Sequence, residues 1–273
     1  MGNATLYSKD SVTTLGSHFY RVSRTTTTVR ATVQRRVAGP LRILLGGTFQ
    51  HTGFRSLPGA SVFRRDVAAG TVDPATLPFD DKVLRAGVIV DTRDNELDPR
   101  SGILLEALFA SGTGYTRTTG QARVHVHALD KLVLAGRLAG EGTGGNPPLA
   151  AEQEMESSER PFVALGGYRS LRGYYDGRFV GSGKLLGGLE ARYVILGVPA
   201  AAKLKAVELK LVAFYDAGRV FGPGEAFQVT TTGLHSSGGG EVALRFLRNS
   251  LIVMGVGVGS EGAQLLWGTT WSF

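Results

Sequence analysis

The sequence predicts an all-β fold, a transmembrane antiparallel β-barrel of about twelve strands with one long outer loop folded into its lumen. Three observations carry this. Apolar and polar residues alternate with period two through most of the chain, in runs of roughly 9–11 residues, the length a tilted membrane strand needs. Short turns and long loops alternate along the chain, as they do when one end of a barrel faces the periplasm and the other the exterior. No apolar run approaches the roughly 18 residues of a membrane helix; the longest, residues 251–259, is interrupted by Gly255, Gly257 and Gly259. A soluble β-sandwich also alternates, but has no reason to sort its loops by length.

The composition fits. Of 273 residues, 42% are hydrophobic and 19% charged, and the mean hydropathy is near zero, as expected when only alternate strand residues face lipid. There is no cysteine, which removes disulfides and thiolate metal sites. The net charge of +7 comes from arginines scattered at alternating positions. That is no basic stripe, and nucleic acid is not an expected partner. His125 and His127 share a strand face without a nearby carboxylate, so neither a metal nor a cofactor is expected. No Ser/His/Asp arrangement stands out, and the protein is not expected to be an enzyme. Met1-Gly2-Asn3-Ala4 has no apolar leader core.

In chain order, residues 17–24 read as a first strand, with residues 1–16 undecided. Residues 27–37 alternate Val29, Ala31, Val33 and Val37 against Arg30, Thr32, Gln34 and Arg36. After a turn at Ala38-Gly39-Pro40, residues 41–51 place Leu41, Ile43, Leu45 and Phe49 together. A proline-rich loop covers 52–81. Strands follow over 82–92, 103–109, 121–129 and 132–140, with turns over 91–102, 112–120 and at Asp130-Lys131. The second long loop covers 142–182. Beyond it lie strands over 185–196, 207–216, 241–247 and 251–259 and a last one ending at Phe273, with a third long loop over 217–238. Twelve strands is an even number, as single-chain bacterial barrels have; fourteen or sixteen are the alternatives. The expectation is one domain over residues 1–273.

The second loop holds the densest cluster of Gly, Tyr and Arg, residues 166–178. Leu171-Arg172-Gly173-Tyr174 within it resembles the (V/L)RG(F/Y) motif of the BamA/TamA-type outer-membrane assembly and secretion superfamily, the bacterial surface antigen family. Phe214-Tyr215-Asp216-Ala217-Gly218 resembles that family's FxDxG strand motif, and lies on the second strand after the loop as it does there. The turn carrying Asp91, Arg93, Pro99 and Gly102 resembles its D-x-R…P-x-x-G periplasmic turn, and Trp271 and Phe273 resemble a C-terminal outer-membrane signal.

The resemblance covers roughly residues 82–273. It implies a bacterial outer-membrane location, a motif tip inside the lumen, and lipid and client outer-membrane or secreted proteins as partners. It also implies a function in inserting or translocating those clients through a weak strand seam. Family members usually carry periplasmic POTRA domains ahead of a sixteen-stranded barrel; none is legible here, and about four strands are lacking. The alternative function is a passive pore, or the anchor of a longer protein whose soluble domain carries the activity.

Alternation gives the motif its chemistry. Glu190, Phe214 and Asp216 face inward, opposite Leu189, Ala191 and the outward strand residues. Arg172, brought into the lumen, needs a carboxylate, and Glu190 or Asp216 is the expected partner, since guanidinium and carboxylate match bidentately. Gly173 is expected to allow close backbone approach, with Tyr174 and Phe214 packing nearby and Gly218 on the same strand. Trp267, Trp271 and Phe273 share a parity and read as an interfacial aromatic girdle.

Overall fold

The computed structural model describes residues 3–6, 21–70, 72–159, 161–198, 207–222, 225, 232–246 and 250–273. Expectations for residues 7–20, and for the turns at 199–206 and 247–249, lie outside these.

Twelve strands form one antiparallel sheet in which each pairs with the next along the chain. They are β1 (Asn3–Leu6), β2 (Arg21–Ala38), β3 (Leu41–Arg55), β4 (Phe79–Asp91), β5 (Gly102–Gly112), β6 (Tyr115–Leu129), β7 (Leu132–Gly145), then β10 (Gly183–Val198), β11 (Val207–Phe221), β12 (His235–Phe246), β13 (Ser250–Gly259) and β14 (Gly262–Gly268). β7 pairs directly with β10, so the segment between them, residues 146–182, is free to leave the wall. It carries helix α2 (Leu149–Gln153) and a small hairpin of β8 (Glu154–Met155) and β9 (Phe162–Val163). Helix α1 (Val62–Ala68) occupies the first long loop. Its N-terminus is capped by Ser61, whose hydroxyl accepts from the Arg64 amide, satisfying one of the orphan donors of a helix start.

The wall is apolar outside and charged inside. Leu84 is 73% exposed and Leu189 63%, while the adjacent Arg85 and Glu190 are each 3% exposed. That inversion of a soluble core is what a lipid-facing barrel requires. Contacts cross the lumen: Arg24 of β2 donates to Gln153 of α2, and Lys210 of β11 to Asp98 in the β4–β5 turn.

The strand count agrees with the expectation, but several bounds move. β2 runs unbroken through Thr25–Thr28, whose β-branched side chains favour extended backbone. Its end pairs with Asn3–Leu6, and the described part of the strand expected at 17–24, residues 21–24, belongs to β2. The turn expected at 112–120 shrinks to Thr113-Gly114, with Gly114 at positive φ and β6 starting at Tyr115. The Tyr115 ring is buried and its hydroxyl donates to Asp81 at 2.5 Å, which pins the hairpin early. The last strand stops at Gly268.

Candidate lumen site

The motif tip reaches the inner wall of β10–β12. Arg172 is fully buried. Its Nε and Nη2 donate to the two oxygens of Asp216, each at 2.8 Å, and its Nη1 donates to Glu190 at 2.6 Å and to Glu241 at 3.3 Å. The guanidinium lies 3.7 Å from the centre of the Phe214 ring, a cation–π contact in a desolvated site. The strands set this up by register: Glu190 pairs with Phe214, and Asp216 lies across from Gly188. Glu241, on β12, lies across from Val212 of β11. One loop cation therefore ties three neighbouring strands. Arg192 completes the cluster, its Nε donating to Glu190 at 2.7 Å.

Room for the tip is made by glycines on both sides. A Cβ on Gly173 would meet Gly259 N at 2.5 Å and Ser237 Cβ at 2.6 Å. A Cβ on Gly257 would collide with the Arg172 carbonyl, and one on Gly259 with the Tyr174 ring. The alternate glycines of β13 are thus the bed on which the tip's backbone lies. Leu171 packs with Met155, Phe162, Leu165 and Leu186. Tyr174 donates from its hydroxyl to the Ser236 carbonyl at 3.1 Å and meets Phe179 edge-on. A Cβ on Gly218 would press on Leu165 Cδ2, so Gly218 makes space for the infolded segment.

Further ion pairs hold the rest of that segment. Arg85 meets Glu156 at 2.6 Å, and Arg117 and Lys184, themselves paired with Glu141 on the wall, each donate to the Glu154 carbonyl at 2.7 Å. Glu106 accepts from both the amide and the hydroxyl of Ser158. The hairpin is therefore docked on β4–β7 as the tip is docked on β10–β12.

At the periplasmic end, Asp91 takes the Arg93 guanidinium on both oxygens at 2.9 and 3.0 Å. Gly102 has φ +105°, and a Cβ there would meet Arg93 Cα at 2.7 Å, which requires glycine. Pro99 and Asp98 carry the turn inward. Asp98 meets Lys210 at 2.7 Å, Arg245 at 3.4 Å and the Trp271 indole N–H at 3.1 Å. Burial pushes this carboxyl up, but Lys210 and Arg245 hold it below its usual range.

Trp271 and Phe273 are not girdle residues. Each is 4% exposed, whereas Trp267 is 68% exposed on the outer face. The chain bends at Thr269-Thr270 and the tail enters the lumen. There Arg192 lies 4.1 Å from the Trp271 ring and Arg137 4.6 Å from the Phe273 ring, and the Ser272 hydroxyl donates to Glu190 at 2.9 Å. Alternation predicts the outer face only while the strand continues. His125 is buried and His127 exposed, so the two imidazoles do not converge.

Glu241 is legible as inward by alternation against Val242, Leu244 and Phe246, but nothing local in the sequence points it at Arg172. Asp98 lies in an irregular turn where alternation gives no side.

An apolar exterior, an ion-paired interior and an infolded segment define a membrane β-barrel with a lumen clamp. A model of the Omp85 superfamily domain matches residues 5–262, and the chain belongs to that superfamily, as a barrel of the bacterial outer membrane. The structure is similar to BamA from Haemophilus ducreyi lacking POTRA domains 1–3, with TM-score 0.58, 12% identity and 91% of this chain covered. The match takes in 53% of the BamA chain, so this chain spans about half its length. A KdgM porin in complex with disordered oligogalacturonate aligns over 92% of this chain and 98% of its own at 11% identity, with TM-score 0.34. No curated protein matches the chain.

Proposed function

We propose that this barrel assists the insertion or translocation of other proteins through the seam between its first and last strands. The reading rests on family membership and on one feature, the Arg172 clamp. By fastening β10, β11 and β12 to the infolded segment, the clamp keeps the wall next to the last two strands in shape while the seam opens. Among the described residues the two ends of the sheet are also its shortest strands, β1 with 4 residues and β14 with 7. Unpaired strand edges in lipid are costly, so an opened seam offers a template for an incoming strand by edge pairing. Such a barrel lowers an insertion barrier without bond chemistry.

Reconstitution in liposomes with an unfolded client barrel tests this. The parent accelerates client insertion and Arg172→Ala loses most of the acceleration. A parent no faster than empty liposomes rules the reading out.

One observation favours the second reading, a pore or anchor. Gln34 reaches the Ser158 carbonyl inside the lumen, so β2's inward face carries Thr32, Gln34 and Arg36, and all three are exposed. The lumen is open along that side. A pore gives ion conductance that Arg172→Ala leaves unchanged.

A further inference from the structure

Most buried cations of the lumen meet carboxylates. Arg85, Arg117 and Lys184 face Glu141 and Glu156; Arg172 and Arg192 face Glu190, Asp216 and Glu241; Lys210 faces Asp98. The β6–β7 ladder breaks the pattern. Arg123 and Arg137 are direct cross-strand partners, 3% and 5% exposed, and like charges directly opposite destabilise a sheet.

Their acid partners do not balance them. Among the described residues Arg123 has only the half-exposed Glu159 as an acid partner, at 3.6 Å, and Arg169 shares that carboxylate at 3.7 Å. Arg137 donates to two carbonyls, of Arg169 at 2.7 Å and Ser272 at 3.5 Å, and among the described residues it forms no ion pair. Nε and Nη2 of both arginines are buried without a hydrogen-bond partner among the described residues, as are both ring nitrogens of His125, the next inward residue on β6. Buried donors are rarely left so.

Beside Arg123 is a cavity of roughly 410 Å³ whose charged lining is Arg93, Arg123, Arg169, Glu96 and Glu159; Glu96 is taken by Arg42 at 2.9 Å, and Arg137 lies outside the lining, against the Phe273 ring that forms part of it. Arg93 is already neutralised by Asp91; the unmet charge belongs to Arg123 and Arg137. Water filling the cavity can satisfy donors but cannot offset two facing positive charges. An oxyanion does both, and a guanidinium binds one through paired N–H groups.

We propose that this cavity binds a small oxyanion, of phosphate or carboxylate chemistry, at Arg123, with the facing charge of Arg137 alongside it adding to the attraction. The periplasmic turn and the C-terminal tail form its walls, so the ligand enters from the periplasmic side. The proposal does not depend on the insertion function.

The test uses the full chain in detergent, with thermal unfolding followed by heat-modifiable gel mobility. Sodium phosphate and sodium acetate are compared with sodium chloride at matched ionic strength. Phosphate, acetate or both raise the midpoint, by about 5 °C at a hundredfold excess over the dissociation constant. Arg123→Gln and Arg137→Gln each abolish that shift and raise the midpoint in chloride, because the facing charges are gone. Either variant alone suffices if the other does not fold. Equal midpoints in all three salts, or a shift that persists in the folded Gln variants, overturns the site.

Discussion

A guanidinium presents five N–H donors in one plane, and Arg172 commits its side chain to three carboxylates on three strands. Arg172→Ala leaves Glu190, Asp216 and Glu241 facing one another, with Arg192 on Glu190 as their remaining ion pair among the described residues. Such a loss costs about 3–5 kcal/mol, expected as a lower urea midpoint for barrel unfolding. Arg172→Lys keeps the charge but loses the paired bonds to Asp216 and falls between the two. Gly257→Val acts through the same site with no change of charge. Its side chain would occupy the space of the Arg172 carbonyl, so the tip is expelled and trypsin cleaves after Arg169 and Arg172, which the parent protects. Equal cleavage in parent and variant contradicts the packing of the tip on β13.

At the level of elements, the periplasmic turn and the C-terminal tail form one unit through Asp98. Its carboxyl is held below the ordinary carboxylate range in the fold. It therefore contributes stability that is fully present above the unfolded pKa, about 4, and is lost as pH falls through the lower folded value. In a Trp267→Phe background, Trp271 fluorescence stays blue-shifted at neutral pH and moves to the red only well below pH 4. Asp98→Asn removes that acid transition. A red shift of the parent between pH 5 and 7 refutes the assignment.

The elements also mark how far the sequence could be read. Alternation sorted Leu84 from Arg85 and Leu189 from Glu190, because a strand in a membrane wall has only two sides. It also turned Phe214 and Asp216 inward, and the motif spacing brought Arg172 to them. It misplaced Trp271 and Phe273, which share the parity of the outward Leu265 and Trp267. A two-residue bend ends the strand before them, and buried arginines hold their rings inside. The helix and hairpin of the infolded segment, and the pairing of Arg123 with Arg137, depend on contacts distant in sequence and leave no local period.

The whole molecule is a wall with lipid outside and a charged, partly filled lumen inside. Leu189→Arg on the outer face is expected to destabilise the barrel by about 2–4 kcal/mol near the midplane, while Thr32→Arg on the open inner face of β2 changes stability little. Comparable losses at both positions would contradict the inside-out arrangement. The clamp joins that wall to the infolded segment, and its energy can be isolated from packing by a double-mutant cycle. Urea unfolding of the parent, Arg172→Ala, Asp216→Ala and the double variant is the most direct measurement. A clamp gives an interaction energy of about 2–3 kcal/mol between the two sites, whereas costs that add to within about 0.5 kcal/mol would mean that Arg172 does not hold β11.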